Sequence, residues 1–70
     1  MTYRFDFGKG LEEVQLEQRV SSSELARRLN VHRQQINHWR GRKDAKLSLV
    51  VKVCDGLGVE VFDFLERSSH

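Results

Sequence analysis

The stretch SSELARRLNVHRQQINHW, residues 22–39, decides the fold of this 70-residue chain. Its first half opens on serines, whose hydroxyl groups can cap the free N–H groups at the start of a helix. Leu25 and Leu29 then lie four residues apart on one helical face, and Asn30 is a residue type that accepts the left-handed conformation in which helices end. The pattern predicts a helix of about two turns over Ser23–Leu29.

A second short helix follows almost at once. The pattern predicts it over His32–Arg40, with Gly41 as its stop. At about 100° per residue, Ile36 and Trp39 lie on one side, which marks the buried face. The opposite side holds four long or planar hydrogen-bonding side chains: Arg33, Gln34, Asn37 and His38. In the major groove of DNA, Arg pairs with guanine, and Asn and Gln pair with adenine.

The positive charge of the chain is concentrated around this second helix. Twelve Lys and Arg against ten Asp and Glu leave a net charge of only +2, but residues 27–46 hold seven basic and one acidic side chain, a local net charge of +6. Phosphates run beside a helix that is seated in the major groove. Four cations stand where those phosphates would lie: Arg40, Arg42, Lys43 and Lys46. The charge pattern predicts which side of the domain faces DNA.

Three further helices are predicted outside this central region. Good helix formers run from Lys9 to Arg19, and short apolar runs among acidic residues indicate a last helix around residues 61–65. Between them, an amphipathic stripe predicts a fourth helix through Leu47, Val50, Val51, Cys54 and Leu57. We expect an all-α, compact five-helix domain at residues 9–66, preceded by a strand or arm at residues 1–8 and followed by a frayed tail at residues 67–70.

The chain offers two candidate surfaces for association. Tyr3–Phe7 alternates aromatic and charged residues, which is the period of a short β-strand. Five residues are not stable as a lone strand, so this one either packs on its own domain or pairs with a second copy in a dimer. The last helix offers the other surface, because a helix this short cannot bury both Phe62 and Phe64.

Residues 22–39 resemble the helix-turn-helix motif of the lambda-repressor-like, or XRE/Cro-type, DNA-binding family. The apolar and small positions of that motif match Leu25, Ala26, Leu29, Val31, Ile36 and Trp39. The resemblance extends over roughly residues 9–66 and implies a phosphate contact by Ser22. It also implies contacts to bases and nearby phosphates by His32, Arg33, Gln34, Gln35, Asn37 and His38. Two departures are Asn30, where the family usually has Gly, and a loop after Trp39 that looks one residue short.

Other classes of function fit the sequence poorly. A single cysteine, Cys54, excludes an internal disulfide, and with three scattered histidines it gives no zinc spacing, so we expect no metal, no cofactor and no small-molecule ligand. The sequence contains no nucleophile–base pair and no phosphate-cradling glycine loop, so nothing in it indicates an enzyme. It also contains no apolar run long enough to indicate a membrane span. A ribbon-helix-helix protein would place the N-terminal strand in the groove, where Asp6 would repel DNA.

We therefore expect a sequence-specific regulator of transcription, a small Cro-like repressor that binds a palindromic operator in double-stranded DNA as a homodimer. The alternative on the same fold is a protein-interaction module, such as an antitoxin-like partner. The lone thiol suits a reducing cytoplasm, and with the resemblance we expect a bacterial or phage-encoded protein that associates with the nucleoid. The operator, and the choice between repressor and activator, stay open.

Overall fold

The computed structural model of the chain describes residues 5–69. The all-α prediction is confirmed, with five helices: α1 Phe7–Gln18, α2 Ser22–Leu29, α3 Arg33–Arg40, α4 Leu47–Leu57 and α5 Val61–Ser68. The α1 helix packs against α3, α4 and α5, whereas α2 packs against α3 and α4. In this part of the chain, no helix combines the length and the apolar character that crossing a membrane requires. The α1 and α4 helices thus both join the α2–α3 pair to α5, which α1 contacts most extensively.

The helix ends follow from the local residues. Ser21 caps α2, because its Oγ accepts a hydrogen bond from the Glu24 N–H at 3.1 Å. Asn30 ends α2 in the left-handed conformation that the sequence predicts, with φ 58° and ψ 47°. Arg19 ends α1 at φ 57° and Gly58 ends α4 at φ 68°. Three of the four connections therefore start with a left-handed residue.

Apolar residues of all five helices form the core. Phe7 of α1 and Phe64 of α5 are fully buried, and their ring centroids lie 5.6 Å apart. Ile36 and Trp39 attach α3 to the same core, which confirms the predicted buried face of this helix. Burial of one such side chain contributes about 1.5–3 kcal/mol, so these two residues attach α3 firmly and leave its other side free to carry polar groups.

The α4 helix is rotated relative to the predicted stripe. Leu47 and Val51 are 68% and 40% exposed, whereas Val53, outside the predicted stripe, is fully buried. The physical reason is the close approach of α2. A Cβ atom on Gly56 would lie 2.5 Å from a methyl carbon of Leu29, so the missing side chain lets α2 pack against this side of α4. The prediction is wrong at two positions of the stripe and correct at the other three.

Cys54 lies in the core of the domain, as its place in the apolar stripe predicts. Burial raises the pKa of the Cys54 thiol, and the nearby carboxylate of Asp55 raises it further. The thiol is therefore neutral at physiological pH and a poor nucleophile.

The α1 helix begins two residues earlier than predicted. Phe7 is its first residue rather than the end of the predicted strand Tyr3–Phe7, whose first two residues lie outside the described part of the chain. The reason is that Asp6 caps the helix, since its Oδ1 accepts the Lys9 N–H at 3.0 Å.

The first and last described residues of the chain meet on one side of the domain. Phe5 forms a single antiparallel bridge with Ser69 of the same chain, and the Asp6 N–H donates to the Ser68 carbonyl at 2.6 Å. The α5 helix continues through residues that the sequence places in a tail: Ser68 is buried, and its Oγ donates to the Phe64 carbonyl at 2.9 Å. In its described residues the N-terminal arm packs on its own domain.

Candidate nucleic-acid interface

A three-residue turn of Asn30, Val31 and His32 joins α2 to α3. The Val31 N–H donates to the Ala26 carbonyl at 2.9 Å, and the Gln35 N–H donates to the His32 carbonyl at 2.9 Å. These bonds connect the turn to the end of α2 on one side and to the start of α3 on the other. The turn therefore sets the angle at which α3 leaves α2.

The recognition face, which we define as Arg33, Gln34, Asn37 and His38, covers the side of α3 opposite Ile36 and Trp39. All four of its side chains are exposed. Since they span an arc of about 140° on the helix, they lie side by side. His32 and Gln35 are exposed at its borders. The structure thus brings six of the ten predicted DNA-binding residues together on one surface.

Ser22 stands at the start of α2, half-buried beside α1. Its Oγ accepts a hydrogen bond from Gln15 Nε2 at 3.5 Å, and the same Nε2 donates to the Val20 carbonyl at 3.1 Å. The amide of Gln15 thereby ties the start of α2 to the end of α1. A helix N-terminus carries partial positive charge, which favours a phosphate near Ser22.

Arg40 differs from the other predicted residues. Its guanidinium Nη2 lies 3.1 Å from Glu12 Oε2 of α1, and its side chain is about one-third exposed. Arg40 follows Ile36 by one helical turn, which places it toward the packed side of α3 rather than on the recognition face. The sequence could not predict this ion pair, because it depends on how α1 packs across α3.

The basic loop, which we define as residues 41–46, connects α3 to α4. Arg42 and Lys43 have exposed side chains, whereas their carbonyl groups accept hydrogen bonds from the start of α1. Gly8 N–H donates to the Arg42 carbonyl at 2.7 Å, and Phe7 N–H donates to the Lys43 carbonyl at 2.9 Å. The backbone of the loop is therefore fixed at these two residues, while the side chains of Arg42 and Lys43 remain available to solvent.

Two cations of residues 27–46, which we call the basic block, form ion pairs within α2. Arg27 and Arg28 both form ion pairs with Glu24 of the same helix, and Arg28 Nη1 also donates to the Gly56 carbonyl at 3.1 Å. The hydrogen bonds from Arg27 and then Arg28 hold the pKa of the Glu24 carboxyl below its usual range. Spacings of three and four residues to Glu24 were the sequence signal for these pairs. The unpaired positive charge is accordingly concentrated on α3 and the basic loop.

The chemistry of the site is that of hydrogen bonding and charge. Within residues 5–69, no group of three or more His, Cys, Asp or Glu side chains could hold a metal ion. The recognition face offers donors from Arg33, and both donors and acceptors from Gln34, Asn37 and His38. These are the groups that pair with the edges of bases.

A family model described as a Cro/C1-type HTH DNA-binding domain matches residues 11–69. The chain belongs to this family. The match begins inside α1 and ends one residue after α5, so it takes in the α2–α3 pair and the core that supports it. A comparison with curated proteins found no match.

Membership of the Cro/C1-type family makes this chain a DNA-binding helix-turn-helix domain. The predicted lambda-repressor-like resemblance is confirmed, and a role as a DNA-binding regulator follows from it. In the Cro/C1-type domain described above, α2 and α3 are the helix-turn-helix pair, and α3 is the recognition helix.

Proposed function

We propose that this Cro/C1-type domain is a transcriptional regulator, a small Cro-like repressor that binds a palindromic operator as a homodimer. The observation that carries the proposal is the recognition face: four exposed hydrogen-bonding side chains with no carboxylate among them, on a helix whose opposite side is buried. A repressor of this kind acts by occupying its operator, at the nucleoid of a bacterial cell.

Base reading is assigned to the recognition face and its neighbours. Arg33 suits guanine, because its fork of donors matches the O6 and N7 acceptors of that base. Gln34 and Asn37 suit adenine, whose N6 and N7 present one donor and one acceptor. The remaining members of the proposed set are His32, Gln35 and His38.

Phosphate contacts are assigned to the start of α2 and to the basic loop. Ser22 lies at a helix N-terminus, and Arg42 and Lys43 carry exposed charges next to the end of α3. Arg40 completes the proposed set at its edge, and its share is smaller because Glu12 already neutralises its guanidinium.

The α5 helix supplies the dimer interface in this proposal. Phe62 is 78% exposed, whereas Phe64 two residues later is fully buried, so one aromatic ring of α5 is left on the surface as the sequence predicts. The exposed Leu47 and Val51 of α4 add further apolar surface on the same domain. Two copies joined this way could place two α3 helices in successive major grooves about 34 Å apart.

Selection of bound duplexes from a random pool tests the proposal. We expect enrichment of a two-fold symmetric site, with its half-sites about one helical turn apart. Enrichment of a single asymmetric half-site would remove the homodimer from the proposal. Failure to retain any duplex at low salt would remove DNA regulation altogether.

The same exposed apolar residues support the alternative, an antitoxin-like protein-interaction module. Under this alternative Phe62 contacts a different protein rather than a second copy. Co-purification of the tagged chain from its host distinguishes the two: a stoichiometric heteromeric partner that persists after nuclease treatment favours the interaction module, and a self-associated chain favours the dimer.

A further inference from the structure

The start of α1 is hydrogen-bonded to the backbone of the basic loop. The first N–H groups of a helix have no acceptor within the helix itself. Here, two of them find acceptors in the loop: Phe7 N–H donates to the Lys43 carbonyl at 2.9 Å and Gly8 N–H donates to the Arg42 carbonyl at 2.7 Å. The two residues whose carbonyls accept these bonds each present an exposed cation.

Gly8 is the point of closest approach between α1 and the end of α3. A Cβ atom at this position would overlap the carbonyl oxygen of Arg40 and would lie 2.5 Å from the Arg40 carbonyl carbon and 3.0 Å from the Arg42 oxygen. These neighbours are backbone atoms, so they cannot rotate away as a side chain could. Glycine is a poor helix former, and its presence within α1 is explained by this contact.

The α1 side of the contact is the more firmly held. Phe7 is fully buried against Phe64, and the neighbouring Asp6 N–H donates to the Ser68 carbonyl at 2.6 Å. The basic loop, by contrast, has mostly exposed side chains. Crowding at Gly8 would therefore displace the loop and the end of α3 rather than α1.

We infer that Gly8 is a positioning residue for DNA binding, because it lets α1 hold Arg42 and Lys43 where the phosphates pass. The inference rests on the proposed function, and it assigns Gly8 no contact with DNA. A chain that carries a side chain at this position should keep its fold but lose the phosphate contacts of the loop.

The test compares three glycine-to-alanine variants. Gly8→Ala crowds the loop. Gly10→Ala lies on the same helix, and the atoms nearest to its Cβ belong to Ser68 in α5 rather than to the loop. Gly41→Ala lies in the loop itself, where its Cβ would have an ordinary 3.6 Å contact with the His38 oxygen. Each is measured for duplex affinity over a range of salt, and for the rate of trypsin cleavage after Arg42 and Lys43 without DNA.

We expect Gly8→Ala to make the negative slope of log affinity against log salt concentration shallower by about one to two. Each lost phosphate contact removes about 0.9 from the magnitude of this slope. Trypsin should cut its loop several times faster. Gly10→Ala should lower the melting temperature but keep the wild-type slope and cleavage rate, and Gly41→Ala should keep all three. A wild-type slope and cleavage rate in Gly8→Ala, or an equal loss of slope in Gly10→Ala, would overturn the inference.

Two further readouts separate the inference from its premises. If the wild-type chain binds no duplex, the proposed function fails, while the trypsin rates still report whether Gly8 holds the loop. If Gly8→Ala does not fold, amide exchange of the wild-type chain decides: Phe7 and Gly8 should exchange as slowly as amides inside α1, and more slowly still with DNA bound. Exchange at the rate of free amides would contradict the hydrogen bonds from Phe7 and Gly8 to the loop. Exchange rates that bound DNA leaves unchanged would contradict the link between these bonds and DNA binding.

Discussion

The α3 and α5 helices both have eight residues, but their outward-facing sides differ in chemical character. Each buries an apolar side in the common core, α3 through Ile36 and Trp39 and α5 through Phe64. The outer side of α3 carries Arg33 and uncharged polar groups, whereas the outer side of α5 carries carboxylates and an exposed aromatic ring. The fold is thus compatible with either surface, and the outward residues alone distinguish a helix suited to DNA from one suited to protein.

The largest expected effect separates the two aromatic residues of α5. Phe64→Ala should lower the free energy of unfolding by about 3–5 kcal/mol, because it leaves a cavity against Phe7. Phe62→Ala, its matched control, should change the stability of the monomer by no more than about 0.5 kcal/mol. Urea unfolding at low protein concentration measures both, and similar losses in the two variants would contradict the burial assigned to α5.

Base reading by α3 predicts the next largest effect. Arg33→Ala and Gln34→Ala should each weaken binding to the selected operator by about 1–3 kcal/mol, with a smaller loss on random duplex. Gln18→Ala at the end of α1 removes the same kind of side chain from an exposed position and should leave affinity unchanged. Fluorescence anisotropy on both duplexes provides the comparison. Equal losses on operator and random DNA would show that Arg33 contacts phosphate instead.

Phosphate contacts by the basic loop predict a smaller, sequence-independent effect. Lys43→Ala should weaken binding to operator and random duplexes alike and lower the salt slope by about one. Lys52→Ala removes another exposed cation, from α4 and outside residues 27–46, and serves as the control. The claim fails if both lysine variants shift the slope equally.

The smallest expected effect concerns pH and the α2 helix. The lowered pKa of Glu24 means that its ion pairs with Arg27 and Arg28 stabilise the fold at pH values above the pKa that Glu24 has in the unfolded chain. This contribution is lost as pH falls through the lowered pKa that Glu24 has in the folded chain. The wild-type chain should therefore have a higher urea midpoint than Glu24→Gln at neutral pH, and the two midpoints should converge in acid. A difference in urea midpoint that grows as the pH falls would contradict this prediction.

Local signals made the α2–α3 pair predictable, while close packing hid the rest. Ser21 caps α2 through its own hydroxyl and Asn30 ends it through its own left-handed backbone, so the bounds of α2 can be read from sequence with an error of one residue. The contact of α1 with the basic loop and the rotation of α4 depend on Gly8 and Gly56, whose meaning appears only when another segment approaches them. The ion pair of Arg40 could not be read from sequence, because its partner Glu12 lies in a different helix.

Titration of the isotopically labelled chain with a duplex of about ten base pairs, long enough for one half-site only, tests the central claim most directly. Amide chemical shifts should change for residues 33–38 and for Arg42 and Lys43, and should stay constant for residues 62–66 of α5. Changes centred on α5, or none at low salt, would contradict the claim that α3 and the basic loop form the surface that binds DNA.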